Sequence, residues 1–191
     1  MTTALDRACE ISRERHMLDL LTGVEATRQA EIGWGAGNED LFLIVAPKEG
    51  AEDYVIHHLG LWEWTVLVEG VQAEGATGDP DEDLRLLAEH PERLAKHLAE
   101  GVLVAVGFMW EDVEFYDDGD PRKTDEPDMR WLTAVDFHSD AYRVYRDRKQ
   151  RRGNPVMAQV ITPDADPYGP VLADLARGLA ALASPHRALT P

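Results

Sequence analysis

The stretch from Val102 to Ile161 constrains the fold more than any other part of the chain. It carries strand-like patterns in close succession, with no helical periodicity between them. Parallel neighbours need a crossover of roughly a dozen residues or more, usually a helix. These strands are therefore expected to run antiparallel. Val102–Trp110 is the first of them. Glu111 and Asp112 interrupt it, and Val113, Phe115 and Tyr116 resume it, a change of face that a β-bulge explains. Trp131, Thr133, Val135 and Phe137 alternate with Leu132, Ala134 and Asp136. His138 to Ala141 then has turn chemistry, and Tyr142 to Tyr145 returns, so residues 130–147 read as a hairpin. Gly153-Asn154-Pro155 breaks the chain before a last strand at Val156–Ile161.

Upstream, Leu41–Ala46 is a continuous apolar run stopped by Pro47, the pattern of a strand buried on both faces. Residues 51–59 read as a short helix closed by Gly60 or, second to that, as a strand. Trp62, Trp64, Val66 and Val68 alternate with Glu63, Thr65, Leu67 and Glu69, which predicts a strand with one apolar face. Three other regions have helical spacing. Ala4, Ala8, Ile11, Leu18 and Leu21 line one side of a helix over 4–22, with Gly23 as its terminator. Leu84, Leu86 and Leu87 precede Pro91, which suits the first position of a second helical piece carrying Leu94, Ala95 and Leu98 and ending at Gly101. Leu172, Leu175, Ala176, Leu179 and Leu182 line a C-terminal helix. The expected class is α+β: one domain over 1–184, a largely antiparallel mixed sheet with N-terminal, central and C-terminal helices, and a frayed tail at 185–191.

Composition narrows the function classes. The 191 residues are 44% hydrophobic and 29% charged, which is globular usage. The formal net charge is −17, so direct binding to nucleic acid or an anionic membrane is disfavoured. No apolar run approaches the roughly 18 residues of a membrane span, and the N-terminus lacks the apolar core of a secretory leader. A lone cysteine, Cys9, excludes an internal disulfide and reads as a small packing residue. A cytoplasmic protein is expected. The 15 arginines against 4 lysines are what a GC-rich genome writes, that of a bacterium or its phage.

Catalytic motifs are sparse. The glycines of Gly33-Trp34-Gly35-Ala36-Gly37-Asn38 mark a loop, but a strand follows them where a phosphate-binding turn needs a helix. No G-x-S-x-G elbow occurs, and no cofactor is implied. His57 and His58 are adjacent, so a strand points them to opposite faces. The DDGD run at 117–120 lacks the spacing of a calcium loop and reads as solvated. Asp136, His138 and Asp140 are spaced by two. On an extended strand they would present two carboxylates and an imidazole to a divalent metal; otherwise they are a strand end entering a turn.

Charge patterning is more informative. Residues 143–152 hold Arg143, Arg146, Arg148, Lys149, Arg151 and Arg152 against Asp147, a net +5 that leaves −22 for the rest. Side chains alternate on a strand, so Arg146 shares a face with Tyr142 and Val144, while Arg143 shares the other with Tyr145. The charges gather beyond the strand, at Arg148, Lys149, Arg151 and Arg152, which marks that end as the contact point. Residues 111–128 are the acidic counterpart, net −7. The leading expectation is a non-enzymatic interaction or assembly component with a protein partner, a second copy of itself included. Two alternatives are a metal-dependent hydrolase or nuclease using Asp136, His138 and Asp140, and an acidic nucleic-acid mimic.

Overall fold

The computed structural model describes residues 3–11, 13–34, 39–48, 54–69, 79–99, 101–112, 129–148 and 156–183. Six strands pair in one sheet: β1 (Asp40–Pro47), β2 (Val55–Gly60), β3 (Gly101–Asp112), β4 (Met129–Asp136), β5 (Ala141–Asp147) and β6 (Met157–Ile161). The order across the sheet is β2-β1-β3-β4-β5-β6, and every neighbouring pair is antiparallel. The α+β class and the antiparallel strands are as expected, and the connections of 4 residues between β4 and β5 and 9 between β5 and β6 are too short for a crossover.

Helices cover both faces. The N-terminal pair α1 (Ala4–Ile11) and α2 (Glu14–Ile32) lies on one. On the other lie α3 (Leu61–Glu69), α4 (Pro80–Glu89), a 3-10 helix at Pro91–Leu98 and α5 (Gly169–Ala183). This explains why β1 is buried at every residue: Phe42, Ile44 and Ala46 point toward α1 and α2, while Leu41, Leu43 and Val45 point toward the other layer. Pro91 opens the 3-10 helix as its missing N–H allows. Leu172, Leu175, Ala176 and Leu179 of α5 are buried, but Leu182 is exposed, beyond the end of the sheet contact.

Residues 55–69 reverse the expected elements. Val55–Gly60 is an edge strand paired to β1, and Leu61–Glu69 is a helix. Trp64 and Val68, four apart, are both fully buried, whereas Val66 between them is 46% exposed. The side chain of Trp62 lies outside the described residues. Gly60 is not a helix terminator but the residue before one. Its N–H donates to Glu63 Oε2 at 3.2 Å, half of a capping box. Alternation of large apolar residues thus concealed a helix that needs only every fourth one.

The N-terminal helix is also two helices. Arg13 is extended, and His16 Nδ1 donates across the break to the Glu10 carbonyl at 3.0 Å. Gly23 sits inside α2 rather than ending it; Gly33, at φ +65, is the cap. Cys9 is exposed, one position round from the buried Ala8. β3 pairs with β4 without interruption through Glu111 and Asp112, and Val113, Phe115 and Tyr116, where the pattern is expected to resume, lie outside the described residues. A bulge lies in the β1–β3 pairing, whose register slips at Val104. Val104 and Ala105 therefore both face α1 and α2, and the Val104 carbonyl accepts the Phe137 N–H at 3.1 Å.

Candidate interaction surface

The second half of α2 is polar on its inner face. Glu25, Arg28 and Gln29, three and four apart, follow the apolar Met17, Leu20, Leu21 and Val24 along that side. Beneath them the sheet supplies partners. Arg146 of β5 grips Glu25 with both ends of its guanidinium, Nε to Oε1 at 2.7 Å and Nη2 to Oε2 at 2.5 Å. Arg130 of β4 is fully buried; its Nη1 lies 3.5 Å from Glu25 Oε1. Arg130 also donates through Nε to Glu111 at 2.9 Å and through Nη1 to Gln29 at 2.9 Å, and through Nη2 to the Gly33 carbonyl. Its guanidinium lies 4.9 Å from the centre of the Trp34 ring. Buried arginines survive only with their donors engaged, and here they are.

The opposite face has its own pair. Arg143 donates through Nε and Nη2 to Asp166 Oδ2 at 3.0 and 2.7 Å, and the Thr133 hydroxyl reaches the same oxygen at 2.6 Å. Asp166 follows β6, so this contact fastens the end of β6 back onto β5 and β4. The split of Arg143 and Arg146 between faces is as the strand alternation requires. Neither is a free handle: each closes an ion pair with a buried carboxylate.

Of the four expected contact residues, Arg148 is half-buried, its guanidinium 6.0 Å from the Trp34 ring centre. Lys149, Arg151 and Arg152 lie outside the described residues, as do the acidic loop 117–128 and the tail 185–191. The described strand that follows this segment in the chain is β6. Met157, Ala158, Gln159 and Val160 are all exposed, so both faces of the strand meet solvent. Among the described residues no strand pairs with its outer side. In register across the sheet, Trp110, Trp131 and Tyr145 lead to Met157. Trp110 and Trp131 stack at 6.4 Å, and with Arg143, Ala165, Asp166 and Pro167 they line an open groove of about 230 Å³. Sequence reading found β6 but not its exposure.

Strand β4 ends at Asp136, and the turn begins at once. Asp136 is buried, and its Oδ1 accepts the backbone N–H of His138 at 2.8 Å and of Asp140 at 2.9 Å. Burial pushes its carboxyl above the usual range, although those two N–H groups pull the other way. Ser139 completes the turn at φ +73. The side chains of His138 and Asp140 face solvent, so this trio builds a turn. His57, His58 and His138 do not meet. His57 packs against His97 with ring centres 5.3 Å apart, while His58 Nδ1 lies 2.7 Å from Asp40 Oδ2 on the other face. Among the described residues no group of three His, Cys, Asp or Glu side chains has the arrangement to hold a metal ion. No described helix is long and apolar enough to cross a membrane.

Comparison with protein-family models, curated proteins and solved structures finds no match to this chain.

Proposed function

We propose that the protein is a non-enzymatic interaction module that docks a partner strand along its β6 edge, the strand that follows the basic segment 148–152 in the chain. One observation carries this reading. β6 has no charged residue, and four of its five residues are exposed on an edge with which no described strand pairs. Proteins ordinarily protect such edges with charge, proline, a bulge or a covering helix, because an open edge recruits another strand. The opposite edge, β2, is less bare: Leu59 is buried, and His58 is tied to Asp40. β6 is also held firmly, since Arg143 and Asp166 join its C-terminal end to the sheet. A fixed and open edge is the template for strand addition, where main-chain hydrogen bonds supply affinity and alternate side chains supply choice of partner.

The test is site-specific photo-crosslinking in the producing cell. A photo-reactive residue at Val160 is expected to capture a discrete partner chain, while the same residue at Val66, equally exposed but on α3, captures none. Absence of any adduct at Val160, or identical adducts at both positions, overturns the reading.

A further inference from the structure

We infer that the strand added at β6 is the β6 of a second copy, paired antiparallel about a two-fold axis at Gln159. This rests on the docking reading above and names its occupant. The strand reads Met157-Ala158-Gln159-Val160-Ile161. Turned end for end on itself about Gln159, it places Met157 opposite Ile161 and Ala158 opposite Val160, with Gln159 opposite its own copy. Each pair is then apolar with apolar, or amide with amide, and cross-strand pairs of matched character are what stabilise a sheet. Side chains keep their faces in this register: Met157, Gln159 and Ile161 continue the Trp110–Trp131–Tyr145 side, and Ala158 and Val160 continue the α2 side.

Charge favours the same arrangement. A chain of net −17 repels its own copies over most of its surface. β6 itself carries no charged residue, so the repulsion is weakest there. Arg148 follows β5 at the end where β6 begins, and β6 ends beside Asp140 and Asp164, both exposed. Antiparallel pairing sets the Arg148 end of one copy against the Asp140 and Asp164 end of the other, twice per dimer. A two-fold contact of this kind closes on itself and consumes both edges, so assembly stops at two along this side.

The experiment uses the full chain with Cys9→Ser, which removes the native thiol, and adds Gln159→Cys. In an antiparallel pair, residues on the axis have Cα atoms about 4.5 to 5.5 Å apart, within the roughly 4.4–6.8 Å that a disulfide spans. Mild oxidation is expected to link most of the protein as a dimer, while Leu5→Cys in the same background, exposed on α1, stays unlinked. Sedimentation of the unmodified chain is expected to rise toward twice the chain mass with concentration. Val160→Lys, at a position 45% exposed, is expected to return it to monomer with its circular dichroism unchanged and its melting equal to that of the unmodified chain at dilutions where that chain is monomeric. A monomer at every concentration together with no linkage through Gln159→Cys overturns the inference. If Val160 crosslinks to a different protein under those same conditions, docking at β6 stands and the second copy is wrong. If it crosslinks to nothing, both fall.

Discussion

Phe42 occupies the space that a side chain at residue 107 would need. A Cβ built on Gly107 would lie 2.0 Å from Phe42 Cζ, and the two residues are paired in register across β1 and β3. The glycine is there because a ring lies flat over its backbone in the middle of the sheet. Gly107→Ala is therefore expected to destabilise the protein by about 1–3 kcal/mol, as overpacking does, although alanine suits a strand better than glycine. Equilibrium denaturation measures it. A neutral or stabilising result would mean that Phe42 has another rotamer at little cost.

Glu25 is the shared carboxylate of two arginines, and its side chain is fully buried, whereas Arg146 remains 18% exposed. Glu25→Gln takes away the charge that Arg146 grips, while Arg130 keeps Glu111, and should cost about 1–3 kcal/mol. Arg146→Ala should cost less, because Arg130 still answers Glu25. Urea midpoints for the two variants decide the order, and a reversal would place the main burden on β5.

Trp64 and Val66 distinguish the helix from a strand in solution. Trp64 is fully buried and packs edge-on against Phe108 with ring centres 5.9 Å apart. Trp64→Ala should lose about 3–5 kcal/mol, and Val66→Ala no more than about 0.5 kcal/mol. Comparable losses at both positions would restore the alternating strand.

Asp136 sets a pH dependence with an unusual sign. Its carboxyl is raised by burial, so between the unfolded and folded values the native state holds the extra proton. This group favours folding at acid pH, and its contribution declines as pH rises through that window. Asn keeps the oxygen that caps the turn and cannot ionise. The stability of Asp136→Asn relative to the unmodified protein should therefore improve between about pH 4 and about pH 7. Chemical denaturation at the two pH values gives the difference; a variant that loses ground at the higher pH would show that the turn needs the charge.

The parts of this fold written in local pattern were legible. Short connections between β4 and β6 dictated antiparallel pairing, the β1 run declared burial on both faces, and the β5 arginines divided as alternation requires. The failures have a common cause. α2 stopped being recognisable at Glu25 because its inner face turns polar there, and the residues that justify this are 101 and 121 positions away. In 55–69, large apolar residues at every second place imitate a strand although only Trp64 and Val68 are needed by the core. The open edge of β6 is likewise a property of what the neighbouring helices leave uncovered, and no local pattern encodes that.

The distance between Glu25 and Arg146 has a consequence for synthesis. A chain leaves the ribosome from its N-terminus, and α2 emerges with Glu25, Arg28 and Gln29 on the side it must later bury. β1 and β3 can already cover the apolar half of this layer, but Arg130 must follow before any strand answers Glu25, and Arg146 comes 121 residues after that glutamate. Until then the polar half of α2 waits without its partners. Nascent chains halted before residue 130 should leave α2 open to protease, and chains released beyond α5 should close it.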